Sequence, residues 1–249
     1  MVRSGSGTPS PGAPSASVNP VRATSHARAP RATRADGDQT YARLLESAGL
    51  LFAAAGFAET TSTSIAKHAG ADVASINYHF GSRNGLYQAV LAEAHRRVIR
   101  LEVLQQIASG KRPGSEKVRL LIDQFLQATS GVPGWPTRVL ARELLAPTAN
   151  AHVLLNQEIA PKLQIVLGIL SGVTRIPVGE PALLRCLVST GAPGLMMLVG
   201  ANGYIAPLRD FVASPREDLA LHLHAFAMGG LKAAGRLYAQ NTGRASSRS

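Results

Sequence analysis

The sequence predicts an all-α protein: a three-helix helix-turn-helix unit near the N-terminus, a long connecting helix, and a larger all-helical unit. Three observations predict it. Apolar residues recur at three- and four-residue spacings through the segments beyond residue 39. Those segments tend to open at Ser, Thr or Asp and to stop at Gly or Pro, the residues that cap and break helices. The composition, 45% apolar but only 5% aromatic over 249 residues, suits an Ala- and Leu-rich helical chain long enough to bury a sizeable core in one large or two modest domains.

Residues 1–38 are a basic arm dominated by Ser, Gly, Pro, Ala and Arg, too poor in apolar surface to offset the entropy of ordering, and are expected to stay disordered. Arg22, Arg28, Arg31 and Arg34 could suggest a transit peptide, but the Gly, Pro and Ser content opposes an amphipathic helix. A solvated linker is the plainer reading of the arm, and contact with phosphates or a minor groove the sharper one.

From Gln39 a helical stripe begins: Leu44, Leu45, Ala48, Leu51, Phe52 and Ala55 share a face, and Gly56 stops the helix. Thr60, Thr61 and Ser62 offer hydroxyl caps for a second short helix carrying Ile65, Ala66 and Ala69, which Gly70 ends. Asp72 caps the third. At about 100° per residue, Ile76 and Phe80 then point inward, Ala74, Ser75 and Tyr78 outward, and Asn77 and His79 lie on the flanks. Two short helices joined by a tight Gly-containing turn form a helix-turn-helix, whose second helix enters a DNA major groove. The outward residues are small or hydrogen-bonding, so the backbone can approach DNA while Tyr78 and His79 reach phosphates and Asn77 or Ser75 meets a base edge.

Net charge supports this less than it first suggests. The chain has 26 basic and 15 acidic residues, a net +11, and such a surplus points to an anionic partner. Residues 39–90, however, balance Arg43, Lys67 and Arg83 against Glu46, Glu59 and Asp72. The N-termini of the second and fourth helices, with Arg83 just after the cap Ser82, supply phosphate-binding N–H groups instead.

The stretch resembles the DNA-binding domain of the TetR family of transcriptional repressors. The resemblance lies in Gly56-Phe57, Thr60-Thr61, Ile65-Ala66, Ala69-Gly70, Ile76-Asn77-Tyr78-His79-Phe80, a polar turn with Arg83, and Leu86-Tyr87. It implies phosphate contacts by Tyr78, His79 and Arg83, and the candidate DNA-contacting set is Thr61, Ala74, Ser75, Asn77, Tyr78, His79 and Arg83. Two positions depart from the family: Val73 stands where a lysine is common, and Asn77 where an aromatic is frequent. Val73-Ala74-Ser75-Ile76-Asn77-Tyr78-His79-Phe80-Gly81-Ser82-Arg83 looks like the CecR-type subgroup, to which Arg142-Glu143-Leu144-Leu145-Ala146-Pro147-Thr148 is also similar.

A long helix is expected from Arg83 to about Ala108, burying Leu86, Val90, Ala94, Val98, Leu101 and Leu104, with Arg96, Arg97 and Arg100 on a solvated face. It would connect the DNA-binding domain, residues 39–91, to a helical domain over residues 92–240, and residues 241–249 would trail as a tail. Within the second domain, helices are expected over Glu116 to Thr129, Thr137 to Leu145, Asn150 to Ser171 with a kink at Pro161, Pro181 to about Asn202, and Pro215 to about Gln240. The last carries apolar residues around much of its circumference and Gly229-Gly230 for close approach. The resemblance implies that the last two long helices form a homodimer interface and that the middle helices enclose a small-molecule effector. Trp135, Arg142, His152 and Met196 are the candidate pocket residues, with Met197 beside Met196 a further adaptable apolar group of the lining; Arg142 and His152 are the polar ends.

Other chemistries find little footing. His222 and His224 are two apart, on different sides of a helix, and Cys186 is the only cysteine, so neither a zinc site nor an internal disulfide is expected. Phosphate-binding Gly-rich loops and Gly-x-Ser-x-Gly elbows are missing, so neither a cofactor nor an enzymatic activity is expected. The apolar run near Leu187 to Val199 is interrupted and short of the roughly 20 residues a spanning helix needs. The expectation is therefore a cytoplasmic, nucleoid-associated homodimeric repressor that leaves its operator when a small molecule binds. Its rivals are a helical enzyme or carrier with residues 39–91 as scaffold, and a DNA-binding dimer with no effector.

Overall fold

The structure, a computed structural model, describes residues 30–129, 134–200, 210–211 and 213–246, and all regular structure among them is helical. Helix α1 (Pro30–Ala55) opens on proline, whose missing N–H is harmless in a first turn. The last part of the arm expected over residues 1–38 is thus helical, and residues 1–29 lie outside the described residues. Gly56 follows at φ 87°, the left-handed conformation that lets the chain reverse.

Helices α2 (Ser62–Ala69) and α3 (Val73–Phe80) are each fixed by a local cap. Thr61 Oγ1 accepts from Ser64 N while Ser64 Oγ accepts from Thr61 N, a reciprocal capping box. Gly70 closes α2 at φ 61°, and Asp72 accepts from Ser75 N at 2.7 Å to open α3. Ser82 then caps α4 (Arg83–Val98), accepting from Gly85 N at 3.0 Å. These caps are each worth about 1 kcal/mol, enough to set the ends of helices only two turns long.

The long connecting helix does not occur. Ile99 is extended (φ −133°, ψ 105°), and a separate helix α5 (Leu101–Ser109) starts after it. The β-branched pair Val98-Ile99 has a lowered helical preference, and the break turns α5 onto α9, so that Leu104 and Ile107 are buried while Leu101 is only half-buried.

The body comprises α6 (Gly114–Thr129), α7 (Trp135–Leu145), α8 (Ala151–Leu154), a π-helical turn (Leu155–Ile159), α9 (Ala160–Thr174), α10 (Pro181–Gly200) and α11 (Arg216–Ser246). The kink expected at Pro161 is expressed as that π turn: proline offers no N–H to the carbonyl four residues back, and a wider turn just before it absorbs the defect. Helix α11 runs on through residues expected as a tail from 241. Helix α10 continues through Pro193, and the stretches Ala151–Thr174 (24 residues) and Pro181–Gly200 (20 residues) are long and apolar enough to cross a membrane, contrary to the expectation that no stretch would reach that length. Both pack into the body, α9 through Ile169 and Leu170, α10 through Leu183, Cys186 and Met197.

The cores do not divide where the sequence suggested. Leu44, Ala48, Phe52, Ile65, Ile76, Leu86 and Val90 of the first four helices share one cluster with Trp135, Val139, Leu140 and Leu154 of the body. A second cluster joins α5, α6, α9, α10 and α11 around Leu170, Ile176 and Leu183.

Candidate nucleic-acid interface and internal cavity

Helix α3 is held by one face and presents the other. Ile76 is fully buried, which contributes roughly 1.5–3 kcal/mol. Phe80 is half-buried and stacks on Tyr41 of α1, ring centroids 4.6 Å apart. On the opposite side Tyr78 is 84% exposed, beside exposed Ala74 and Asn77. An aromatic left this open on a rigid two-turn helix forms no part of the fold's core. Val73, in the family's lysine position, is exposed as well.

The remaining members of the expected contact set are partly engaged within the head. His79 is half-buried with its ring against Tyr41 and Tyr78, at 6.0 and 4.9 Å between centroids. Ser75 donates its hydroxyl to Asp72 at 2.8 Å, and the Ser75 hydrogen bonds hold the Asp72 carboxyl below its ordinary range. Thr61 is exposed at the start of α2 and committed to its cap. Arg83 is turned inward: its Nη1 donates to Thr60 O at 2.7 Å and its guanidinium lies 4.3 Å from the centre of the Phe57 ring. It ties the start of α4 to the start of α2, a role its motif position did not reveal.

Helix α7 bolts the head to the body through polar contacts. Arg142 donates to the carbonyls of Ala53 (3.0 Å) and Ala54 (2.7 Å), satisfying the open C-terminus of α1. Glu143, buried, accepts from Tyr87 Oη at 2.8 Å and from Thr148 N and Oγ1 at 2.9 and 2.8 Å. Trp135 Nε1 donates to Glu46 at 2.7 Å, with Arg97 over the indole and paired to Glu46 at 3.0 Å. Gln88 donates to Asn150 at 2.9 Å. The Arg-Glu-Leu-Leu-Ala-Pro-Thr segment is thus a joint.

A cavity of about 410 Å³ lies in the body, inside the roughly 300–1,000 Å³ range of small-molecule sites. Its wall is apolar over most of its extent, with Leu121, Phe125, Val166 and Met197 among the lining, and it reaches His95 and Lys162. Exposed Val188 and Phe226 also line it, so its mouth opens on the face shared by α10 and α11. Of the residues singled out from the sequence as pocket lining, Met197 lines this cavity and Trp135, Arg142, His152 and Met196 do not. Trp135 and Arg142 are spent on the joint, His152 is exposed on α8, and Met196 faces outward while its neighbour Met197, about 100° further round the helix, faces in.

His95 and Lys162 are the polar groups that sequence reasoning missed. Lys162 Nζ lies 2.8 Å from His95 Nδ1 and 3.5 Å from Glu158. Burial, then the Lys162 charge, pushes His95 down to about 4, so its neutral ring accepts from the ammonium. Burial also lowers Lys162, and Glu158 opposes that shift. The available signal was Lys162 standing alone on the inward stripe with Val166, Ile169, Leu170 and Val173. Among the described residues no three His, Cys, Asp or Glu side chains are grouped to hold a metal.

A helix-turn-helix with an exposed second helix, bolted to an all-helical body, defines a DNA-binding transcription regulator. The family model for "Bacterial regulatory proteins, tetR family" matches residues 44–90, and that for "HTH-type transcriptional dual regulator CecR, C-terminal domain" matches residues 115–231. The chain belongs to the TetR family and is CecR-like. Among solved structures it is similar to a TetR-like transcriptional regulator from Rhodococcus sp. RHA1, at 20% identity over 82% of this chain and 98% of that one (TM-score 0.57). It is also similar to NalD, the secondary repressor of the MexAB-OprM multidrug efflux pump in Pseudomonas aeruginosa, at 20% identity over 79% and 97% (TM-score 0.54). Comparison with curated proteins gives no match.

Proposed function

We propose that the protein is a homodimeric cytoplasmic repressor that reads an operator through α3 and is released by a small molecule bound in the body cavity. The observation that carries the reading is Tyr78, 84% exposed on the second helix of a helix-turn-helix beside exposed Asn77 and Ala74. In this reading Tyr78 and His79 contact phosphates, Asn77 meets a base edge, and Thr61, Ser75 and Ala74 lie close to the backbone. Arg83 acts by positioning Thr60 and Thr61 rather than by reaching out.

Dimerisation through α10 and α11 is supported by the apolar residues these helices leave exposed, including Leu184, Val188, Leu221, Phe226 and Leu237. Large apolar side chains left exposed in this number favour an interaction site, and two heads per dimer read two half-sites about one DNA turn apart or a multiple of it. Effector binding among α6, α9 and α10 would reach the heads through α7, whose joint touches α1 and α4 directly. A coupling of this kind requires the ligand to prefer one head arrangement over the other.

The test is selection of bound sequences from random DNA, then binding by Tyr78→Ala and His79→Ala on the selected site. Each variant is expected to lose at least tenfold in affinity while remaining dimeric. Unchanged affinity in both would remove α3 as the reading element.

A further inference from the structure

We infer that the cavity takes an apolar molecule ended by a single carboxylate, received by the Lys162 ammonium; the inference rests on the effector reading of this cavity. Lys162 is only 4% exposed, on a helix whose other inward residues are apolar except Thr174 at its far end, which donates its hydroxyl to the Leu170 carbonyl. A buried ammonium is costly unless it is paired and hydrogen-bonded, whereas Leu or Met would simply extend the stripe.

Its pairing is incomplete. Of the three N–H donors, one goes to neutral His95 at 2.8 Å. A second faces Glu158 at 3.5 Å, at the limit of a hydrogen bond, and Glu158 is shared with Arg96 at 3.8 Å. The third has no acceptor among the described residues. Arg96 and Glu102 are the other charged groups whose fields reach Lys162.

The rest of the wall decides the class of ligand. Apart from His95 and Lys162, its polar side chains are Gln124, Ser189 and Thr190, and the remainder is apolar. A single cation at the wall of an apolar chamber fits one negative charge on an apolar body. A phosphate dianion would need a further cation or a bidentate arginine, and Arg96 is drawn away to Glu93 and Glu158. A neutral hydroxyl or carbonyl would leave the buried positive charge without a counter-charge, although it could accept the open N–H. A carboxylate accepts it and adds a charge-assisted bond to the Lys162–His95 pair.

Octanoate and octan-1-ol separate the possibilities, because they share an alkyl chain and differ in the end group. By titration calorimetry on the full chain at pH 7, octanoate is expected to bind at least tenfold more tightly than octan-1-ol. Lys162→Met is expected to weaken octanoate at least tenfold and leave octan-1-ol within twofold. Equal affinities in the wild type, binding of neither compound, or an equal loss of both in the variant would overturn the inference. The wild-type comparison stands even where the variant fails to fold. Operator release by octanoate, read separately by gel shift, keeps the two readings apart. Carboxylate-selective binding without release refutes the effector role alone; release by other compounds without carboxylate preference refutes the ligand assignment alone.

Discussion

Tyr87→Phe is the sharpest probe of the joint between head and body. The substitution removes one hydroxyl, the donor to buried Glu143 at 2.8 Å, and leaves the ring against Phe52 and Phe57 at 4.8 and 4.7 Å between centroids. Packing is nearly unchanged, so the loss is one hydrogen bond to a charged acceptor, roughly 1.5–3 kcal/mol. Glu143 keeps two donors from Thr148, which argues for the lower half of that range, about 2 kcal/mol. Glu143→Gln should cost a similar amount, because its oxygen can keep both Thr148 donors while its amide nitrogen donates to the tyrosine hydroxyl, which then loses its own acceptor. The double variant should cost less than the sum, with a coupling of about 1 kcal/mol or more.

Urea unfolding measures all three. Alkaline pH supplies a second signature, since burial and then the Glu143 hydrogen bond push the Tyr87 pKa up. The unfolded tyrosine ionises near pH 10 and the folded one later, so this contribution is present below about pH 10 and is lost as pH rises. Tyr87→Phe lacks that loss. A Tyr87→Phe stability within about 0.5 kcal/mol of wild type, or strict additivity in the cycle, refutes the reasoning.

Three further outcomes follow from other sites. A Cβ at Gly49 would lie 2.6 Å from the Trp135 ring, whereas one at Gly168 meets nothing within 4 Å. Gly49→Ala should therefore destabilise by roughly 1–3 kcal/mol and Gly168→Ala stabilise by up to about 1 kcal/mol, measured by urea or thermal melts. His95 is held near 4, below its unfolded value near 6.5, so the unfolded state binds more protons and stability falls as pH drops below about 6.5. Between pH 7.5 and 5 the wild type should lose on the order of 2 kcal/mol more than His95→Gln, and parallel profiles would show that the ring is not held neutral. Phe226→Asp, at a residue 72% exposed on α11, should shift sedimentation toward monomer with helix content intact; an unchanged dimer would place the interface elsewhere.

The head was legible because its signals are local. Asp72, Ser82, Gly56 and Gly70 act within a few residues of themselves, and each sits in the structure as its type demands. The inward Ile76 and outward Tyr78 followed from helical period alone. The cavity was not legible, because its wall is gathered from α4, α5, α6, α9, α10 and α11, and only packing decides which face of each points in. Of the paired Met196 and Met197 only the second lines the cavity, and Trp135 and Arg142 were chosen by chemical type when their partners lay 88 or 89 residues away on α1. The break at Ile99 carried no Gly or Pro to announce it. Its cause lies in where α5 must pack.

Because Trp135, Val139, Leu140 and Leu154 complete the cluster that contains Leu44, Phe52 and Ile76, the DNA-reading helices own only part of their core. Cooperativity is therefore expected to cross the boundary drawn near residue 91. Hydrogen exchange in α3 reports on the integrity of α7, and lesions in the body can lower operator affinity while every side chain that faces DNA stays intact. Under the proposed function, the same shared cluster would let a ligand in the body tune the resting stability of the reading head.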